Sequence, residues 1–295
     1  MKQNRRAKMK RFFVIPLLIL QILFSTGCTN TQQSQKTDKL QVYTSFYAMY
    51  DFAKQIGGDK ADVYIMCQPG QEAHDFEPTA QDMAKLSKAD VFIYNGMGME
   101  HWADSVIATL PSSVSVVEAS KSVKHHTSDN DPHVWLNPDN AYAQIVAIAD
   151  AFIEKDSSNA QYYTDNLKSV KEKITQLNET LRTSKDSFTK DSIIVSHEAY
   201  AHLCDILDIK QISVNGKDHS DEPTPQRIAE VESFITNNDI KYIFTSYGTN
   251  DVMNTIASDT NSQIAVLDPF EGSPDNKDYF EVMNENIAQL IKALS

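Results

Sequence analysis

The chain has 295 residues, with 27 Lys and Arg against 40 Asp and Glu, a formal charge of −13 at neutral pH. Such an acidic balance argues against nucleic acid as a partner, because a phosphate backbone is held by a basic surface, and it favours cations in the local atmosphere. The three cysteines, at positions 28, 67 and 204, follow no zinc-pair spacing and imply no disulfide framework; Cys67 and Cys204 read as buried thiols.

The N-terminus reads as an address. Lys2, Arg5, Arg6, Lys8, Lys10 and Arg11 form a basic region without an acidic residue, and the run from Phe12 to Phe24 is interrupted only by Pro16 and Gln21. This run is too short to span a bilayer and suits the apolar region of a secretory signal. It ends in Ser25-Thr26-Gly27-Cys28, which resembles the lipobox of bacterial lipoproteins, where the cysteine is lipidated and becomes the new N-terminus. Ser25 stands where leucine is usual, and an ordinary cleavage site before Cys28 is the alternative. Removal of residues 1–27 takes away six basic residues and leaves 21 against 40, a formal charge of −19. Residues 28–39 are polar and lack apolar periodicity, as a flexible tether would.

Beyond the tether, short β-rich runs alternate with helical stretches. Strands are predicted at 41–44, 62–66, 91–94 and 114–117, with helices at 46–55, 81–88, 102–110 and 140–155 between and after them. Strands separated by helices indicate an α/β lobe with a mainly parallel sheet. Tyr163, Leu167, Val170, Ile174, Leu177 and Leu181 then recur at intervals of 4, 3, 4, 3 and 4, with no Gly or Pro between them. This predicts one amphipathic helix from 159 to 185, about 40 Å long at ~1.5 Å per residue. A coiled-coil seam would need more heptads, so the helix reads as a strut. The alternation resumes with strands at 192–195, 211–214, 242–245 and 264–267 and helices at 199–207, 224–237, 252–259 and 279–294. The expected organisation is a signal peptide at 1–27, the tether at 28–39, an N-terminal α/β lobe at 40–157, a connecting helix at 158–187 and a C-terminal α/β lobe at 188–295.

Ligands of α/β sheets collect beyond the carboxyl ends of the strands. Four residues of metal-ligand type stand there: His74 after the second strand, His133 in Asp131-Pro132-His133-Val134-Trp135-Leu136-Asn137-Pro138, His197 after Val195-Ser196, and Glu271 after Leu267-Asp268-Pro269-Phe270. Proline at 132 and 138 restricts the chain around His133, so this octapeptide is expected to be stiff, extended and non-helical. Three imidazoles and a carboxylate suit Zn²⁺, and two would come from each lobe into the cleft between them. His197-Glu198-Ala199-Tyr200-Ala201-His202 imitates a zinc-protease motif, but a spacing of five turns its imidazoles about 140° apart on a helix. His202, His101 and His219 are therefore expected to be packed or surface residues.

These segments, together with Gln68-Pro69-Gly70, Asp75-Phe76-Glu77-Pro78-Thr79 and Asn95-Gly96-Met97-Gly98-Met99-Glu100 with Trp102, resemble the metal-binding lipoproteins of ABC transporters for zinc or manganese. The likeness covers nearly the whole mature chain. It implies that His74, His133, His197 and Glu271 bind one metal between two lobes, with Asp268 or Asp278 as alternatives for the carboxylate. It also implies a monomer, held at the outer face of the cell membrane by a lipid on Cys28, that passes its metal to a permease and is not an enzyme.

Histidine rather than a carboxylate at position 197 resembles the zinc branch, and borderline Zn²⁺ favours imidazole where Mn²⁺ tolerates oxygen-rich sites. Lys124-His125-His126-Thr127-Ser128-Asp129 resembles a shortened form of the histidine-rich loop of zinc members; a weak capture site and a solvated loop are both open readings. The rival functions are a manganese carrier of the same fold and an extracytoplasmic zinc hydrolase. Because imidazoles bind metal when neutral, affinity is expected to fall below about pH 6.

Overall fold

The computed structural model describes residues 39–124, 131–215, 222–246, 250–272 and 275–295; the expectations for the signal, the tether up to residue 38, Cys28, His125, His126 and His219 lie outside them. The first lobe runs β1 (Leu40–Thr44), α1 (Tyr47–Gly57), β2 (Ala61–Ile65), α2 (Ala80–Leu86), β3 (Val91–Tyr94), α3 (Ala103–Ile107) and β4 (Ser115–Glu118). Its strands pair in parallel in the order β2-β1-β3-β4. The inner strand β3 is buried at all four positions, which is why Val91-Phe92-Ile93-Tyr94 reads as a continuous apolar run rather than an alternating one.

Two helices follow, α4 (Pro138–Lys155) and α5 (Ala160–Lys185). Asn137 caps α4, its side chain accepting from the N–H groups of Asp139 and Asn140, and Pro138 occupies the first helical position where a missing N–H costs nothing. The second lobe comprises β5 (Ser192–Val195), α6 (Ala201–Leu207), β6 (Lys210–Ser213), α7 (Pro225–Asn237), β7 (Tyr242–Thr245), α8 (Asp251–Thr260), β8 (Gln263–Val266) and α9 (Tyr279–Leu294). Its parallel order, β6-β5-β7-β8, repeats that of the first sheet.

The 26-residue helix α5 lies between the lobes in sequence. Tyr163, Val170, Ile174, Leu177 and Leu181 are buried and Leu167 is partly so, as the 4-3-4-3-4 spacing predicts. Its apolar face packs against α1 and α4 of the first half and α6 and α9 of the second. One apolar cluster runs from Val42 and Phe52 through Trp135 and Ile174 to Val195, Phe244 and Leu290, so the two sheets share an interior. Smaller clusters fill the outer side of each sheet, around Phe92 and Trp102 in one lobe and Ile194, Ile243 and Ile256 in the other.

The octapeptide around His133 departs from the expected extended form. Val134–Leu136 is a turn of 3₁₀ helix, closed by Leu136 N–H to His133 O and Asn137 N–H to Val134 O, both at 3.2 Å. Proline restricts itself and the residue before it, so the three residues after His133 remain free to close a turn.

Candidate metal centre

Each histidine is delivered by a different piece of local geometry. Gln68-Pro69-Gly70-Gln71 forms a β-turn with Gln71 N–H bonded to Gln68 O at 3.0 Å, and Gly70 at φ +87° supplies the left-handed residue such a turn needs after proline. That turn reverses the chain after β2 and leads to His74. His133 precedes the 3₁₀ turn, and His197 follows β5 by two residues. Glu271 follows Phe270, a buried residue at φ +61°, a backbone region costly for a side chain of this bulk. Phe270 is held there by edge-on contacts with the rings of Tyr47 and Tyr279, while Tyr47 N–H donates to Glu271 O.

The structure brings His74, His133, His197 and Glu271 together, with one ligand atom from each inside a mutual 4.8 Å. His133 Nε2 lies 3.2 Å from His74 Nε2, 3.3 Å from His197 Nε2 and 3.0 Å from Glu271 Oε1. A single N–H satisfies only one of these neighbours. Around tetrahedral zinc, by contrast, bonds of about 2.0–2.1 Å separate ligand atoms by about 3.3 Å, so the spacing fits one shared cation. His133 and His197 are fully buried, Glu271 is nearly so, and His74 is the partly exposed member.

The carboxylate alternatives do not join them. Asp268 accepts from Phe270 N–H and shapes the turn before Glu271, and Asp278 caps α9 in a reciprocal capping box with Glu281. His101 pairs with Glu77 at the surface.

Several residues to which the sequence assigned no such role surround the cluster. Asp131 accepts from His133 Nδ1 at 2.5 Å and from the His133 N–H at 3.0 Å, an arrangement that turns Nε2 toward the cluster. An acidic residue two before a histidine, with proline between, was the local signal for it. His202 is buried and reaches the main-chain oxygen of Asp131, which agrees with its being packed and away from the cluster. Glu72 meets Glu271; burial first and then that neighbouring carboxylate push the Glu72 carboxyl up to about 8.

Burial opposes a charge on His133, but the bonds and charges of Asp131 and Glu271 outweigh it and raise the imidazole to about 9. Glu271 is likewise opposed by burial and then held well below the ordinary carboxylate range by His133 and His197. The metal-free cluster therefore keeps an imidazolium between carboxylates at neutral pH. The proton held by His133 between Asp131 and Glu271 is one that a metal ion has to displace.

Comparison with known proteins leads to the same place. The chain is 31% identical to the high-affinity zinc uptake system protein ZnuA of Bacillus subtilis, over 97% of this chain and 98% of that protein. It is 28% identical to the zinc-binding protein AdcA of Streptococcus pyogenes over 96% of its own length, but spans only 61% of that longer relative. Among solved structures, the Zn(II)-bound ZnuA-like domain of Streptococcus pneumoniae AdcA superposes with a TM-score of 0.78 at 28% identity, covering 87% of this chain and 99% of that domain. Residues 42–293 match the family described as zinc-uptake complex component A, periplasmic. The chain belongs to that zinc-uptake family.

Proposed function

We propose that the mature chain captures Zn²⁺ outside the cytoplasm through His74, His133, His197 and Glu271 and delivers it to a membrane permease for uptake. The observation that carries this is the convergence of four protein ligand atoms from both lobes within 4.8 Å of one another, three of them 3.0–3.3 Å from His133 Nε2. Four protein ligands complete a tetrahedral shell and leave no position for activated water, which suits a carrier rather than a hydrolase. Residues 1–27 serve as the signal peptide, and a lipid on Cys28 with the tether to residue 39 keeps the body near the permease; the run of six basic residues, the apolar stretch and the Gly27-Cys28 junction support this. The body extends as an N-terminal lobe to residue 157, the connecting helix to 187 and the C-terminal lobe to the end.

Zinc enters as cargo. Asp131 holds the proton of His133 Nδ1, so Nε2 offers its lone pair once its own proton leaves. The test is native mass spectrometry of the purified chain with equimolar Zn²⁺ and Mn²⁺. One zinc per chain with manganese excluded is the expected result; manganese preference, or zinc retained after substitution of all three histidines, would overturn it.

A further inference from the structure

Both carbonyls that bracket Pro132 are gripped by buried side chains from opposite lobes. From the second lobe, His202 Nε2 lies 3.0 Å from Asp131 O. From the first, Asn95 Nδ2 donates to Pro132 O at 3.0 Å, and Gln144 Nε2 donates to Asn95 Oδ1 at 2.8 Å, fixing which way the amide faces. His202, Asn95 and Gln144 are each nearly or wholly inaccessible to solvent. Asn95 is steadied in turn by Glu100, a buried carboxylate that accepts from Asn95 N–H, Gly96 N–H and Ser45 Oγ.

We infer that His202 and Asn95 are positioning residues for metal binding: together they set the rotation of the Asp131-Pro132-His133 backbone, and with it the direction of the His133 imidazole. The inference rests on the zinc-binding reading above. Packing alone would hold a loop in place, since Trp135 and Leu136 are already buried in the shared core. Packing, however, is non-directional, whereas hydrogen bonds on two successive carbonyls fix the two peptide planes that precede the ligand. Buried polar groups are costly unless bonded, and here the His202 imidazole and the Asn95 amide, which also donates to Gly96 O at 2.9 Å, both find a partner in this one tripeptide. Ligand geometry is sensitive to such support, with losses of about 10–100-fold in affinity when an outer partner is removed.

The test compares the full chain with His202→Phe, which fills similar space without a donor, and His202→Gln, which restores one. Zn²⁺ affinity is measured by competition with a chelating dye, geometry by the visible absorption of the Co²⁺-loaded protein, and fold by the metal-free melting curve. The expected result is a zinc Kd raised about tenfold or more in His202→Phe with a shifted Co²⁺ spectrum, and a Kd within about threefold of the parent in His202→Gln. If His202→Phe does not melt cooperatively, Asn95→Ala is judged by the same criteria. Parental affinity and spectrum in the donor-less variant, or no rescue by glutamine, would overturn the positioning role. A parent chain that binds no zinc at all would instead overturn the reading on which it rests.

Discussion

The indole N–H of Trp135 donates to the carbonyl of Pro269 at 2.8 Å, joining the loop that presents His133 to the loop that presents Glu271. Tyr279 adds a second tie, its hydroxyl donating to Trp135 O at 2.8 Å. These two loops follow the fourth strand of each sheet, and the side chains they deliver meet at 3.0 Å. Trp135→Phe leaves the buried Pro269 carbonyl without its donor. The expected cost is about 1–3 kcal/mol in stability, together with weaker zinc binding, because two ligand loops lose their register. Chemical denaturation and zinc titration of the variant check both effects.

Removing a central ligand has a larger and simpler consequence. Zinc at a thousandfold excess over Kd is expected to stabilise the parent by about 4 kcal/mol, and His133→Ala to lose nearly all of that shift. Thermal melting with and without zinc provides the measurement, and an undiminished shift in the variant would sink the assignment of His133.

Proton competition sets the pH dependence. The imidazole of His133 is raised from 6.5 to about 9, so its contribution to the metal-free fold is complete below about pH 6.5 and is lost as pH rises through about 9. Zinc takes the place of that proton. The zinc-induced rise in Tm should therefore grow between pH 6.5 and 9, and calorimetry in buffers of different ionisation heat at pH 7.5 should register a proton released by His133 for each zinc bound.

Asp51 offers an independent test away from the ligands. Burial lifts its carboxyl to about 7, against the opposing bonds from Gln55 and the Tyr279 N–H, and it sits where α1 meets the start of α9. A raised carboxyl stabilises the fold in its neutral form, fully below about pH 4 and progressively less as pH rises through 7. Asp51→Asn stays neutral and keeps an acceptor for Tyr279. Its Tm is expected to exceed that of the parent at pH 8, with the advantage shrinking toward pH 4.

A substitution in the strut separates fold from site. Ile174 is wholly buried in α5, and Ile174→Ala is expected to cost about 2–5 kcal/mol while leaving zinc Kd within about threefold. Denaturant midpoints and dye competition test the two halves of that statement.

The strands of both sheets were legible because parallel strands are short apolar runs bounded by turn residues, and each lies within a residue of its expected span. The strut was legible because a single buried face imposes its period on 26 residues. The three histidines and Glu271 could be named because strand ends in α/β lobes converge, and the family resemblance selected among the candidates. What could not be read is partner choice across long separations. Nothing local to His202 points to Asp131 O, 71 positions away in sequence, and nothing local to Trp135 points to Pro269. The left-handed backbone at Phe270 carries no glycine to announce it; aromatic contacts formed only in the folded chain impose it. The 3₁₀ turn after His133 has no local signal, because the prolines at 132 and 138 constrain only themselves and the residues before them and leave Val134–Leu136 undetermined.

The apolar interior common to both sheets has a thermodynamic consequence. Because the cluster that contains Val42, Ile174 and Leu290 is continuous, neither sheet keeps its inner face covered when the other comes apart. Denaturation should then be a single cooperative transition rather than two. The chain has two tryptophans, Trp102 on the outer side of the first sheet and Trp135 at the junction, and no third in the second lobe. Their fluorescence should nonetheless follow the same curve as backbone circular dichroism, which averages over all of it.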